Sequence, residues 1–314
     1  MNPKTKPEKK ALRKARRKEI TLLTRGRTLG LSLPRRFVGD LLSCARRVPS
    51  VPMQRHMRLA DVMAARAALP KRVSWCAIFL KAYALVAAER PMLRRSYLSF
   101  PWPRLYEHPM NVASFGLERT YGGDEGVLFA QIPRPETISL LELDARVRYY
   151  KVAPLETVAS FRRTLKVSRL PMPLRRFVWW AAMSANGTLR SALFGTFGVS
   201  VVGSLGAGSL HILSPMTTTL NYGTFDDGGE IDVRLTYDHR VLDGSNVARA
   251  LGALEDALHG PVLEELRAMA CQTATAEGIP AAPVAKLPEG ARIDGPHLKR
   301  AHAESANDRS LAET

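Results

Sequence analysis

Ile231-Asp-Val-Arg-Leu-Thr-Tyr-Asp-His-Arg-Val-Leu-Asp-Gly-Ser245 is a strand pattern that runs into a loop containing a histidine. Apolar and polar residues alternate through its first half, which predicts a half-buried strand. The loop that follows places His239 and Asp243 four residues apart. Beyond the loop, apolar residues recur with the spacing of one helix face until Gly260 and Pro261. The sequence therefore predicts a strand, a tight loop and a helix in that order.

The rest of the central region mixes helices with paired strands. Ser74 precedes, as an N-cap, a long apolar stretch that predicts a buried helix ending before Pro91. Residues 112–117 and 127–132 have the composition of strands and flank turn residues, which predicts a hairpin. Residues 137–166 predict one more helix. This combination indicates an α+β fold in which helices pack on a layered sheet.

Charge and length suggest one folded domain between two tails. The chain has 314 residues and a formal charge of +17. Nine Lys or Arg against two Glu in residues 1–20 supply +7 of that charge. We predict a disordered basic arm at 1–34, one domain at 35–272 and a disordered tail at 273–314. A charged arm of this kind is more typical of a solvated segment than of a recognition surface, so nucleic-acid binding is not predicted.

Cysteine usage and hydropathy indicate a cytoplasmic protein. The three cysteines, Cys44, Cys76 and Cys271, are few and far apart, which suits neither a disulfide framework nor a zinc site. No apolar stretch of signal-peptide length follows the cationic N-terminus. The longest apolar segment, residues 75–88, contains Lys81 and is too short to span a bilayer.

The loop carries residues suited to general base catalysis. Acyl transfer from a thioester to a thiol, amine or alcohol needs a base that works near neutral pH, and an unperturbed imidazole has a pKa of about 6.5. His239 fits that role. Asp243 is expected to fix the loop by an ion pair or hydrogen bond, and Gly244 to allow a positive φ. By spacing alone, a plain turn with an incidental histidine is an equally good interpretation.

These residues resemble the catalytic domain of the 2-oxoacid dehydrogenase acyltransferases, which are related to chloramphenicol acetyltransferase. In that family a strand is followed by Asp-His-Arg-x-x-Asp-Gly and a helix, which Asp238-His-Arg-Val-Leu-Asp-Gly244 reproduces. Upstream, Gly195-Thr-Phe-Gly-Val-Ser-Val-Val-Gly203 is similar to the family's Gly-Thr-Phe-Thr-Ile-Ser-Asn-x-Gly. Residues 73–90 and 111–138 are similar to its central helix and the following strand pair. The resemblance covers roughly residues 35–270.

The resemblance implies both a fold and a function. The fold is a chloramphenicol acetyltransferase-like α/β two-layer sandwich with a mixed, largely antiparallel sheet. The function is acyl transfer between CoA, or a carrier thioester, and an unidentified acceptor, in a homotrimer or a larger trimer-based assembly. His239 of one chain is then the general base, and it meets Ser200 of the next chain, whose hydroxyl stabilises the oxyanion. CoA or acyl-CoA is the implied co-substrate, with no bound lipoyl group and no metal.

Three features depart from the family pattern. No lipoyl domain is recognised ahead of residue 35. Val201 follows Ser200 where the family usually has asparagine, which removes a polar neighbour from the oxyanion site. The family arginine that pairs with the motif aspartate falls near Arg35 or Arg36. A strand-end serine bonded to nearby backbone is the alternative interpretation of Ser200.

Two other functions stay open from the sequence. One is a non-catalytic trimeric scaffold of the same fold, against which the retention of both His239 and Ser200 argues. The other is a nucleic-acid or anionic-membrane binder that uses the basic arm. The pair Trp179-Trp180 has two interpretations: an aromatic-rich helix that covers the core, or a surface that contacts lipid or acyl chains. The first is favoured. His108 is expected at the surface.

Overall fold

The computed structural model of the chain describes residues 6–24, 26–200 and 208–276. Residues up to Ala270 form one compact unit, and of the second unit, Cys271–Thr314, only the end of the last helix is described. The helices are α1 Lys6–Thr24, α2 Leu33–Ala45, α3 Ala60–Ala67, α4 Trp75–Glu89, α5 Leu140–Val152, α6 Ala159–Arg169, α7 Met172–Ser184, α8 Gly187–Phe194, α9 Gly244–Ala257 and α10 Leu263–Ala276. The strands are β1 Ser50–Arg58, β2 Arg95–Leu98, β3 Arg104–Glu107, β4 Val112–Tyr121, β5 Asp124–Pro133, β6 Phe197–Ser200, β7 Thr218–Tyr222 and β8 Glu230–Asp238.

Six of these strands form one mixed sheet in the order β1-β8-β7-β6-β4-β5. The pairs β1–β8, β7–β8 and β4–β5 are antiparallel, and β4–β6 and β6–β7 are parallel. Strands β2 and β3 form a separate antiparallel pair. Helices packed on this sheet confirm the predicted α+β class with a mixed, largely antiparallel sheet.

Helix α4 lies in the main core, as its apolar composition predicts. Ser74 is its N-cap, and the Ser74 hydroxyl accepts a hydrogen bond from Ala77 N at 3.4 Å. Lys81 is buried in the middle of this helix, and its ammonium group donates to the carbonyl oxygens of Glu136 and Ile138. These bonds compensate the cost of removing a charged group from water. The helix can therefore carry a cation without leaving the core.

A smaller apolar cluster lies under α2, α7 and α8. Phe37 and Trp179 are buried in it, with ring centroids 5.2 Å apart. Trp179 thus covers the core, as predicted. The neighbouring Trp180 is 40% exposed and contacts Phe100 edge-on at 5.2 Å.

The predicted hairpin is present with longer strands. Tyr121 pairs with Asp124, and the two residues between them, Gly122 and Gly123, have φ values of 61° and 85°. A turn with positive φ at both central positions matches the twist of the flanking strands, and glycine adopts it without steric cost.

Two sequence predictions differ from the structure. Residues 137–166 were expected to form one helix, but they form α5 and α6, with Pro154 between them. A proline lacks the amide that a continuing helix needs, so the helix stops there. Residues 6–24 of the expected disordered arm form α1, whose described side chains are exposed. Its Ala, Leu, Lys, Arg and Glu residues favour helix irrespective of their charge.

The C-terminal boundary stays a prediction, as does the start of the domain. Helix α10 runs to Ala276, a few residues into the predicted tail, and residues 277–314 lie outside the described residues. Within the part of the chain that the structure describes, no helix combines the length and the apolar character needed to cross a bilayer.

Candidate active site

The loop after β8 is anchored by a buried carboxylate. Asp238 is fully buried, and its side chain accepts hydrogen bonds from the amide and the guanidinium of Arg240. Its backbone carbonyl accepts from the amides of Val241 and Leu242. Because side chain and main chain are both engaged, the loop is held in one conformation. Charge-assisted bonds of this kind are stronger than neutral ones.

His239 lies between these anchored residues with its ring open to solvent. Its amide donates to the carbonyl of Pro49 at 3.1 Å, which ties it to the residue before β1. Its side chain is 49% exposed, and its ring centroid lies 5.6 Å from that of Tyr237. The backbone of His239 is thus fixed while the imidazole stays accessible to a reactant.

Asp243 does not hold the imidazole by a hydrogen bond in the single chain. The distance from His239 Nδ1 to Asp243 Oδ1 is 3.9 Å, and the Asp243 side chain is 79% exposed. That distance suits an ion pair but exceeds hydrogen-bond range. Arg36, one of the two candidate partners of Asp243, donates to the carbonyl of Ser168. The arginine of this loop, Arg240, pairs with Asp238 instead.

The role expected of Gly244 was wrong. Gly244 is the first residue of α9, and it is absent from the glycines of positive φ among the described residues. A Cβ at this position would meet Met53 Cε at 3.4 Å and the Tyr237 hydroxyl at 3.7 Å, which are ordinary contacts. The turn is made by the bonds to Asp238, so glycine is not required there for its conformational freedom.

Ser200 lies far from His239 along the sheet, level with the middle of β8. Ser200 ends β6, and the register sets it level with Asn221 of β7 and Arg234 of β8. His239 follows Arg234 by five residues along the chain, and β8 is extended through Asp238. At about 3.3 Å per residue the two side chains are separated by about 16 Å along the strand direction. One chain therefore does not bring them together.

A buried arginine that the sequence reasoning missed supports the loop from below. Arg190 is 1% exposed, and its guanidinium donates to the carbonyls of Tyr97 at 2.8 Å and Pro215 at 2.6 Å. Burial lowers its pKa to about 10, while the nearby charge of Asp238 raises it. Arg240 lies over the Tyr97 ring, with 4.4 Å to the centroid. No periodicity or motif distinguishes Arg190 in the sequence, because its helix α8 has only eight residues.

His108, expected at the surface, is buried. It is 1% exposed, and its Nε2 lies 2.9 Å from the hydroxyl of Ser96. Burial, with a smaller contribution from the charge of Arg190, lowers its pKa to about 4. His108 directly follows β3 and faces Ser96 of the paired strand β2, a contact that the sequence pattern did not indicate.

Two cavities lie near the candidate residues. One, of about 640 Å³, is lined by Arg240, Tyr97 and Arg47 close to the His239 loop. The other, of about 630 Å³, is lined by Ser200 and by mainly apolar side chains. Both volumes fall within the usual range for small-molecule sites. In the described ranges, no group of three or more His, Cys, Asp or Glu side chains is arranged to hold a metal ion.

Of three similar solved structures, two are described as dihydrolipoamide acetyltransferases, one of them as probable, and one as a catalytic core of a multienzyme complex. Dihydrolipoamide acetyltransferase from Azotobacter vinelandii matches with a TM-score of 0.53 and 19% identity, over 78% of this chain and 94% of that one. A probable dihydrolipoamide acetyltransferase from Listeria monocytogenes matches with a TM-score of 0.52 and 16% identity, over 74% of this chain and 94% of that one. A truncated catalytic core of the 2-oxoacid dehydrogenase multienzyme complex from Thermoplasma acidophilum matches with a TM-score of 0.52 and 16% identity, over 75% of this chain and 99% of that one.

The chain has the fold of the 2-oxoacid dehydrogenase acyltransferase catalytic core. This acyltransferase-core fold confirms the family resemblance seen in the sequence at the level of architecture. No protein-family model matches the sequence, and a search of curated proteins gives no match. The roles of His239, Asp243 and Ser200 within the acyltransferase-core fold stay predictions.

Proposed function

We propose that this protein transfers an acyl group between a CoA thioester, or a carrier thioester, and an acceptor nucleophile, with His239 as general base. The observation that carries the proposal is the exposed imidazole on a loop fixed by buried Asp238. A general base must be held in place and yet reach the acceptor's proton. An incidental turn histidine would not need a fully buried carboxylate on its N-terminal side.

The residues support a complete transfer step. His239 takes the proton from the acceptor's thiol, amine or hydroxyl as that atom attacks the thioester carbonyl. The Ser200 hydroxyl donates a hydrogen bond to the oxyanion of the tetrahedral intermediate, an effect worth about 3 kcal/mol of barrier. The intermediate then expels CoA as a thiolate, which receives the proton from the imidazolium. With a thiol acceptor the product is itself a thioester, so in that case the transfer can run in either direction.

We further propose that the active site forms between subunits of a homotrimer. Ser200 and His239 are about 16 Å apart along the strands of one chain, which supports a site in which Ser200 comes from a neighbouring chain. In the Azotobacter vinelandii enzyme, a serine, a histidine and an asparagine four residues later were investigated for their role in the catalytic mechanism. Here His239 and Asp243 have the same spacing, with aspartate in place of asparagine.

Cytoplasmic location remains part of the proposal. Cys44 and Cys76 are free thiols, which suits a reducing compartment. The co-substrate CoA is also proposed here, and the acceptor is left undefined.

The test is thiol release from a panel of acyl-CoAs with candidate acceptors, compared between the parent, His239→Ala and Ser200→Ala. We expect His239→Ala to lower turnover by about 10²- to 10⁴-fold without loss of stability, since the ring is half exposed. Turnover equal to the parent's would refute the role of His239. Absence of saturable acyl-CoA binding by the parent would instead support a non-catalytic scaffold.

A further inference from the structure

The sheet beside Ser200 opens into a largely apolar cavity of about 630 Å³. Strand β4 pairs with β6 through residues 113–115, and in the described part of the chain its remaining residues pair with β5 alone. The cavity lies where β4 continues beyond this short contact. Its apolar wall comes from both sheet and helices and includes Phe37, Leu41, Phe115, Leu117, Phe129 and Val199.

The polar groups of this cavity indicate an uncharged occupant. Its charged lining residues, Glu118 and Lys151, are exposed at the rim. Two of its hydroxyls, Ser214 and Thr219, are hydrogen-bonded to each other at 2.7 Å. The fully buried Ser114 hydroxyl has no hydrogen-bond partner among the described residues. The buried part of the cavity thus offers no charge for a phosphate or a carboxylate to bind.

We propose that this cavity holds the acyl chain of the donor thioester, and that the preferred donors carry medium to long chains. The inference rests on the proposed function, in which the Ser200 hydroxyl contacts the thioester oxygen. The acyl chain starts at that same carbonyl carbon, so it begins beside Ser200, and the apolar cavity lined by Ser200 is the space next to it. Each buried methylene then strengthens binding by about fourfold.

Two substitutions narrow the cavity at different depths. Val127 is 39% exposed at the rim, and Val127→Trp adds bulk there at little risk to folding. Ser114→Leu adds bulk deeper, and it removes a hydroxyl that makes no bond within the described chain. Leu105→Trp is the matched control, because Leu105 is 49% exposed on β3 and does not line the cavity.

The experiment compares kcat/KM for acetyl-, hexanoyl-, decanoyl- and hexadecanoyl-CoA and measures decanoate binding by equilibrium dialysis. For the parent and Leu105→Trp we expect kcat/KM to rise from acetyl to decanoyl and decanoate to bind saturably. Val127→Trp and Ser114→Leu are each expected to lower the decanoyl-to-acetyl ratio by about 15-fold, the loss of two buried methylenes.

The two proposals fail in different ways. If acetyl-CoA is turned over in a His239-dependent manner but decanoate does not bind and longer chains are not preferred, the acyl-chain site is wrong and the proposed function stands. If decanoate binds saturably and Val127→Trp weakens it while no thioester is turned over, the cavity assignment stands and the proposed function is wrong. An unchanged chain preference in both cavity variants, with both folded, overturns the placement of the chain.

Discussion

Arg240 forms a two-point ion pair with the fully buried carboxylate of Asp238. Its Nε lies 2.9 Å from Oδ1 and its Nη2 lies 2.7 Å from Oδ2. These two residues flank His239 directly, so the pair fixes the main chain on both sides of the proposed base. The ring of Tyr97 below the guanidinium, 4.4 Å from it, restricts the pair further.

Removing the buried partner should destabilise the fold. Asp238→Ala leaves the Arg240 guanidinium without its carboxylate and takes away three hydrogen bonds. Because the Arg240 side chain is 30% exposed and can still be hydrated, we expect the free energy of unfolding to fall by about 1.5–3 kcal/mol, measured by urea denaturation. Asp243→Ala is the control: Asp243 is the N-cap of α9 but makes no side-chain cap bond and is 79% exposed, so the expected change is about 0.5 kcal/mol. Similar losses in the two variants would show that the Asp238 pair does not hold the loop.

Replacing Arg190, like replacing Asp238 in the His239 loop, should lower the free energy of unfolding. Arg190→Met leaves the carbonyls of Tyr97 and Pro215 without their donor in a buried setting, at a cost of about 1–3 kcal/mol for each unpaired group. We expect the midpoint of urea denaturation to fall clearly. Arg249 on α9 bonds to Ser245 and Asn246 at the surface, so Arg249→Met should have little effect. Equal midpoints for the two variants would contradict the anchoring role of Arg190.

A site shared between chains predicts complementation in mixed assemblies. Ser200→Ala and His239→Ala chains are each expected to be weakly active alone. If the two are unfolded and refolded together at equal amounts, about a quarter of the interfaces regain an intact serine and an intact histidine. We therefore expect about a quarter of the parent's turnover, measured by thiol release. Mixing without refolding is the control, and no gain on refolding would place both groups in one chain's site.

The sequence predicted the parts of the fold that local patterns encode. The alternation in 231–237 became β8, the N-cap Ser74 opens α4, and the glycine pair makes the β4–β5 turn. In each case one short segment carries its own signal, and tertiary contacts only extend it. The break at Pro154 was missed because the apolar residues on either side continue a helical spacing across it.

The network under the candidate site could not be predicted in the same way. Arg190 is bound by carbonyls from Tyr97 and Pro215, which lie 93 and 25 residues away in the chain. Asp238 was recognised as part of a motif, but its burial and its pairing with Arg240 depend on the packing of β1, β2 and β8. Such contacts leave no periodic trace in one sequence. The separation of Ser200 from His239 likewise emerged only from the strand register.

Burial of His108 predicts that the protein loses stability on mild acidification. The pKa of His108 in the folded chain is about 4, below the ordinary value of 6.5. Between these two pH values the unfolded chain is protonated at His108 and the folded chain is not. The stability from the neutral imidazole is complete above pH 6.5 and is lost as the pH falls towards 4, by about 3 kcal/mol. His108→Gln should make the fall in unfolding free energy shallower over this window, as measured by urea denaturation at several pH values.

The control for this prediction has the opposite sign. Hydrogen bonds from His56 to Glu230 and Asp232 raise the pKa of that exposed histidine, so it adds stability when the pH falls. His56→Gln should therefore make the acid-induced loss steeper. If His108→Gln leaves the slope of unfolding free energy against pH unchanged while His56→Gln steepens it, His108 is not buried in its neutral form. Carboxylates away from these two histidines titrate in the same window, but they contribute equally to the parent and to both variants. The difference in slope therefore reports on the imidazole of His108 in one variant, and on His56 together with its partners Glu230 and Asp232 in the other.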